Sequence, residues 1–221
     1  MMKHILKAFL SIIRLYHYNP IMIWKFIYYN FFSKNIRRYS GFFIPDRNAQ
    51  IMFSDTAVLE LHGNLRLGIP SMPGSHVISK LVIREDGRFC VNKKCDIMEG
   101  CDIQIHKKGI FTVDDFHSNI DLEVSCGEQI RLVGEVSAGR DVRLKDFNGH
   151  EVSYSGYPLS KPIVVEDNVW ICTGASINPG VHIQSGSVIA DNSNVTTNVP
   201  ARSFVQGNPA AVIADDITFK M

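Results

Sequence analysis

One residue in this chain has both the chemistry and the setting to move a proton. It is His150, in the run Asp146-Phe147-Asn148-Gly149-His150, with a carboxylate four positions before it. Imidazole exchanges its proton near neutrality, so a reaction that needs a base at physiological pH could use it. Taken alone, a histidine after glycine in a polar stretch is more often a solvated loop residue, and it is the position just before KPIVVEDNVWI that turns the reading toward catalysis. The other chemistry-bearing residues are less organised. His62, His76, His106, His117 and His182 show no His-x-x-x-His or similar ligand spacing, and no metal site is expected. The five cysteines, at 90, 95, 101, 126 and 172, are odd in number, scattered and without a CxxC pair. That usage points to a reducing compartment and to small thiols that fill walls, with Cys95 and Cys101 in equivalent positions of adjacent sides.

The element that must position these residues is a repeat. Val165, Ile171, Ile177, Ile183, Ile189 and Val195 fall six residues apart, and Asn168, Gly174, Gly180, Gly186 and Asn192 follow the first five of them at three residues. Helices and amphipathic strands have apolar periods of about 3.6 and 2, so six is one side of a larger coil. Three sides close a triangular turn. The aliphatic residues then point inward and stack, and the Gly or Asn takes a corner where φ is positive. The small or modest residues Val169, Ala175, Val181, Ser187 and Ser193 come next after each corner.

From Arg47 to Leu144 the repeat persists in degraded form: Val91, Ile97 and Ile103 keep the step, as do Val124, Ile130, Val136 and Val142, with Gly100, Gly127 and Gly139 at corners. The phase slips between Ile103 and Val124, which suggests an irregular corner or small loop carrying Phe116 and His117. Leu59 to Ile83, rich in Gly and Pro, reads as loose early coils. A larger break follows Val142, where about 18 residues leave the coil before the pattern resumes at Ile163, and His150 lies in this excursion. Loops thrown from a rigid scaffold tend to carry function.

Charge separates the chain into two parts. The formal net charge is +1, but residues 1–45 hold seven Lys or Arg and no acid, so the remainder carries −6. Within the basic part, Lys3, Lys7 and Arg14 lie opposite Ile5, Phe9, Ile12, Ile13 and Tyr16 on a helical wheel. Asn19 and Pro20 look like the cap and first position of a second helix through Phe32. Charges interrupt the apolar runs too often for a membrane span, and no small-x-small site follows for a cleaved leader. Two readings of residues 1–38 remain, a helical cap on the first coil or an anchor in an anionic membrane face, and a cap with peripheral membrane contact is the one expected. The expected division is a basic, aromatic helical segment at 1–48 and a solenoid at 49–221, with the excursion at 145–161 and a closing turn at 200–221.

The run from Pro162 to Ile213, KPIVVEDNVWICTGASINPGVHIQSGSVIADNSNV and then VPARSFVQGNPAAVI, resembles the hexapeptide-repeat acyltransferases. Those closest in character are the O-acetyltransferases of capsule and lipopolysaccharide biosynthesis. The resemblance implies an all-β solenoid, a left-handed parallel β-helix, against the usual right-handed crossover rule. It also implies a homotrimer and acetyl-CoA as co-substrate in a groove between two subunits. Asp146-Phe147-Asn148-Gly149-His150 is similar to the Asp-x-Asp-x-His motif of that group, with Asn148 in place of the second Asp. By that match His150 is the general base, and Asp146 fixes its tautomer if its carboxylate reaches the other ring nitrogen. The same comparison assigns CoA contacts to Trp170, Thr173, Ala190, Asp191, Thr196, Thr197 and Asn208. The chain departs from the family in having Cys172 and Ala190 for Gly, Asp191 for a small apolar residue, and Thr197 and Ala211 for Lys, which leaves Arg202 as the nearest cation for the phosphates.

These features imply a cytoplasmic enzyme, either free or peripheral on the inner membrane face, that acetylates a sugar hydroxyl of a bacterial surface polysaccharide or its precursor by direct transfer. A non-catalytic hexapeptide-repeat scaffold is the competing class, favoured by the altered CoA positions. N-acylation of an amino sugar nucleotide is a third, weakened because no G-x-G-x-x-G follows a strand. Serine acetyltransferase does not fit, because its long helical N-terminal domain exceeds the space before the repeat. Nucleic acid is not an expected partner.

Overall fold

Asn19 begins the first described element. In the computed structural model, which describes residues 19–151 and 159–220, its side-chain carbonyl accepts the amides of Ile21 and Met22 and opens helix α1, Pro20–Phe31. Met22, Phe26 and Asn30 recur at helical spacing and are buried against the first coil. Asn30 also substitutes for a strand edge, donating to the Phe43 carbonyl at 2.7 Å and accepting the Phe43 amide at 2.9 Å. The one charge of the helix points inward. Lys25 Nζ donates to the backbone carbonyls of Asp46, Arg47 and Ala49, at 2.6 Å to the last, and the helix thus caps the end of the solenoid. The basic stretch around Lys3, Lys7 and Arg14 lies outside the described residues.

Beyond α1 the chain winds through three sides in turn, and all lateral pairings between coils are parallel. Ile36–Arg38, Val58–Leu61, the first halves of Arg88–Met98, Ile110–Ser118 and Gln129–Ala138, then Ile163–Val165 and His182–Ile183 stack on the first side. Phe43–Pro45, Asn64–Ile69, the second halves of the same three long strands, Val169–Ile171, Val188–Ile189 and Phe204–Gly207 form the second. The third is a separate sheet from Ala49–Phe53 to Asn194–Val195. Phe204–Gly207 turns back on Ala210–Ala214 in the only antiparallel pairing between described strands and closes the coil.

Register confirms the six-residue side. Val165 pairs with Ile183, Ile171 with Ile189 and Ile177 with Val195, each eighteen residues on. All six aliphatic residues of that series are buried, as are Val169, Ala175, Val181, Ser187 and Ser193. Asn168, Gly174, Gly180, Gly186 and Asn192 all have positive φ, between 54° and 82°. Gly174 has φ of +71°, which favours glycine, and a Cβ there would lie 2.3 Å from Asn192 Oδ1 and displace that side chain.

Two expectations are corrected. Strands Ile36–Arg38 and Phe43–Pro45 already pair with the second coil, so the solenoid begins inside the segment assigned to 1–48. Phe116 and His117 are not on a loop, because they belong to strand Ile110–Ser118, with Phe116 in the core. Ile103 and Val124 are lateral partners twenty-one residues apart, so the slip is a coil three residues longer than the regular ones. Register shifts where the long strands round a corner absorb the irregularity without a projection. The largely β structure with parallel strands fits a left-handed β-helix preceded by a helix.

Candidate active site

The excursion is rooted in hydrogen bonds. It leaves the third side after Arg143–Lys145 and re-enters the first at Ile163–Val165. At its foot Phe147 and Ser160 form an antiparallel bridge, the Asn148 amide donates to the Leu159 carbonyl at 2.8 Å, and the Lys161 amide donates to the Asp146 carbonyl at 3.0 Å. Ser160 Oγ donates to Glu128 at 2.8 Å. Residues 152–158 are not described. Two positions above the Asn148 hydrogen bond, His150 is exposed to solvent at the edge between the third and first sides.

Asp146 has a different task from the one its sequence match assigned. It is fully buried, and its carboxylate accepts the Gly127 amide at 2.6 Å and the Glu128 amide at 3.0 Å, in the turn of the preceding coil. Burial pushes its carboxyl up from the usual range, against the pull of the Gly127, Glu128 and Gln129 amides. The carboxylate therefore fixes the loop foot to the coil, and the solvent-exposed His150 ring is not its partner. Replacing Asp146 with alanine leaves two amides without their acceptor and should lower stability by roughly 1–3 kcal/mol. A melt shows this, and an unchanged pH profile of kcat identifies Asp146 as a positioning residue.

The expected CoA residues fall into two groups. Trp170 points outward from the second side, 44% exposed, with its ring 6.3 Å from Phe219. Thr173, Asp191 and Asn208 follow at the edge between the second and third sides, one coil apart. The stack is tied by the Asn192 amide to the Thr173 carbonyl at 2.8 Å and by Asn194 Nδ2 to Asn208 Oδ1 at 2.9 Å. Ala190 is buried beside Asp191, so it shapes the wall. Thr196 and Thr197 are exposed on the other edge, the one the His150 loop leaves. On one chain the two groups are thus separated by the width of the third side. Arg202 is ion-paired with Asp216, so its guanidinium is already engaged.

On the third side lies a cleft of about 370 Å³ lined by Asp102, Gln104, His106, Glu123, Ser125 and Asp141 among others. His106 joins this cleft to the loop foot: its ring lies 5.0 Å from that of Phe147, and its Nε2 is 3.2 Å from Ser125 Oγ. Burial and the neighbouring Arg84 lower its basicity.

A second imidazole has what the sequence match sought for His150. His182 Nε2 lies 2.7 Å from Glu166 Oε1, and the other carboxylate oxygen accepts Ser185 Oγ at 2.9 Å and the Ser185 amide at 3.1 Å. The Ser185 and His182 contacts hold the Glu166 carboxyl below its ordinary range. Spacing could have shown this pair, since Glu166 and His182 are sixteen residues apart, two short of a full coil, and Val164 pairs with His182 directly. No thiol is activated. Desolvation raises all five cysteines, and Cys172, next to Asp191, is pushed up to about 11. Among the described residues no group of three His, Cys, Asp or Glu is gathered that could hold a metal ion.

No family model matches the chain. It is 33% identical over 104 residues to galactoside O-acetyltransferase of Escherichia coli (strain K12), covering 45% of this chain and 51% of that one. A solved hexapeptide-repeat acetyltransferase of Vibrio cholerae O1 biovar eltor, complexed with acetyl coenzyme A, is 32% identical, with a TM-score of 0.43 over 48% of this chain and 60% of that one. The polySia-specific acetyltransferase NeuO shares the fold, with a TM-score of 0.53, 21% identity and coverage of 82% of this chain and 78% of that one. The chain spans about half the length of the curated relatives it matches. In the sequence of its regular coils the chain is similar to acetyltransferases, and in the course of its backbone it shares the fold of NeuO.

Proposed function

We propose that this protein is an acetyl-CoA-dependent O-acetyltransferase that modifies a sugar hydroxyl of a bacterial surface polysaccharide or its precursor. The observation that carries the reading is a solvent-exposed imidazole, His150, on a loop anchored by hydrogen bonds at the edge of hexapeptide coils similar to those of known acetyltransferases. His150 takes the proton of the acceptor hydroxyl as its oxygen attacks the thioester carbonyl. The C–S bond then breaks and the proton passes to the departing CoA sulfur. Transfer is direct, because every thiol in the chain is held protonated.

CoA lies along the edge of Trp170, Thr173, Asp191 and Asn208, with Ala190 as wall. Thr196 and Thr197 meet it from the edge of a second copy, together with that copy's His150. A homotrimer of left-handed coils brings the two kinds of edge together, which one chain cannot do. The cleft at Gln104, His106 and Ser125 suits a hydroxyl-bearing acceptor, and its volume is of the size that small-molecule sites have. A cytoplasmic location matches the acetyl-CoA supply and the unpaired thiols.

Thermal melting with acetyl-CoA tests the reading. At about 100 times its Kd the ligand should stabilise the protein by about 2.7 kcal/mol, visible as a shift of several degrees. No shift at any concentration would favour the scaffold alternative. A second assignment of the base rests on one observation, the 2.7 Å contact of His182 with Glu166, which gives that imidazole an oriented carboxylate partner.

A further inference from the structure

Helix α1 has its polarity inside out. Its single charged side chain, Lys25, is turned into the solenoid, where burial lowers its basicity and three backbone carbonyls hold the ammonium. Its outward face is apolar without interruption: Ile21, Trp24, Ile27, Tyr28 and Phe31, continued by Phe32 beyond the C-terminus. Trp24 is 61% exposed and Phe32 74%. Trp24 and Tyr28 stack on each other at 5.3 Å and Tyr28 meets the edge of Tyr29 at 5.1 Å, yet both Trp24 and Tyr28 stay exposed. A helix that faced water would reverse this arrangement, so the medium outside it is apolar.

Charge identifies that medium. Residues 19–45 contain Lys25, Lys34, Arg37 and Arg38 and no acid. Arg37 is exposed, and Arg38 covers the rings of Phe31 and Phe42 at 5.5 and 4.9 Å, so cations rim the apolar face. Lys34 contacts Asp55, in a pair exposed on both sides. A second copy docked face to face would set the two Arg37–Arg38 rims against each other. An anionic lipid surface would neutralise them. Trp and Tyr beside cations are also the side chains that settle at the boundary of headgroup and acyl chain.

We infer that the outer face of α1 is a docking surface for an anionic bilayer, with Trp24, Tyr28, Phe31 and Phe32 entering the interface and Arg37 and Arg38 meeting lipid phosphates. The inference concerns a surface apart from the proposed active site and does not depend on the reaction. Docking leaves that site accessible. The foot of the His150 loop is four strand positions beyond Ala49–Phe53 on the third side, which at about 4.8 Å each is about 20 Å along the coil axis.

The full chain is sedimented with vesicles of phosphatidylcholine alone and of phosphatidylcholine mixed with phosphatidylserine. Binding is expected to the mixed vesicles, and to fall as salt rises. The double variant Trp24→Glu/Phe32→Glu should bind on the order of tenfold or more weakly and still show the wild-type response to acetyl-CoA, because both side chains are exposed and distant from the loop. Val212→Glu/Ile213→Glu, which alters exposed apolar residues of the closing hairpin, should bind as wild type does. The inference is overturned if neither vesicle brings the full chain down, or if Trp24→Glu/Phe32→Glu binds undiminished. It is equally overturned if this variant abolishes a concentration-dependent self-association, since the occupant is then a second copy.

Discussion

Replacing His150 with alanine should lower kcat by about 10²–10⁴-fold and leave melting and acetyl-CoA binding unchanged. The magnitude follows from the role, because a sugar hydroxyl is a poor nucleophile until a base takes its proton as the new C–O bond forms. The preserved binding follows from the structure, since His150 is solvent-exposed and CoA would lie along the Trp170 edge. The reaction also has no evident second route. Cys172 is the thiol nearest that edge, and desolvation together with Asp191 pushes it up to about 11, so little thiolate exists at neutral pH. Cys172→Ala should therefore stay within a few-fold of wild type. His182→Ala separates the two assignments of the base. If His150 is the base, losing the Glu166-paired imidazole changes kcat little. A full loss in His182→Ala beside an active His150→Ala would transfer the role to His182. Covalent acetyl accumulating on the wild-type protein would refute direct transfer altogether.

The regular coils were legible because in them sequence period and geometry are the same thing. Each side contributes one inward aliphatic residue and one corner, so Val165 through Val195 and the five Asn or Gly positions predict both burial and positive φ, and the structure shows both. The cap of α1 was readable for the same local reason, since Asn19 and Pro20 need only their own helix to explain them. Legibility weakened where coils lengthen. Ile103 and Val124 are partners twenty-one residues apart, and the long strands through Ser118 and Ala138 shift register at their corners. A strict period of six left an irregular corner and a small loop at Phe116 and His117 equally open, and the structure has the irregular corner with both residues in a strand.

The site was legible by composition and not by contact. The motif placed Asp146 and His150 in one short run, and a run of five suggests that they meet. The coil instead offers Asp146 two amides in the turn below, and a buried carboxylate is held more firmly by two fixed N–H groups than by a solvated ring. The Glu166–His182 contact is legible only by counting round the coil. Its partners are sixteen residues apart and become neighbours only after the chain has gone round the coil. Likewise, whether α1 turned its apolar side in or out could not be decided from a helical wheel on which nearly every position is apolar, and the half-buried Lys25, held by backbone carbonyls of the first coil, decides it.

Ile177→Asp should prevent stable folding of the last coils at ordinary temperatures. Ile177 is buried, with Leu144 as its lateral partner on one side and Val195 on the other, all three inside the column. The neighbouring inward residues of that column are aliphatic, so a carboxylate there has neither a cation nor a hydrogen-bond donor to compensate its desolvation. The cost is roughly 4 kcal/mol or more, a large part of the whole stability of a domain. In a solenoid each coil is supported by the two beside it, so the loss should spread from residue 177 toward the C-terminus and loosen the Thr173–Asp191–Asn208 edge before the first coils melt. Melting followed by limited proteolysis checks both parts: a strongly lowered transition, with early cleavage beyond the His150 loop. Ser176→Asp is the control. Next to Ile177 on the same strand, it faces outward beside its lateral partner Arg143 and should stay within about 0.5 kcal/mol of wild type. If the two variants melt alike, the inward assignment of the six-residue series is wrong, and with it the geometry that places every residue of the proposed site.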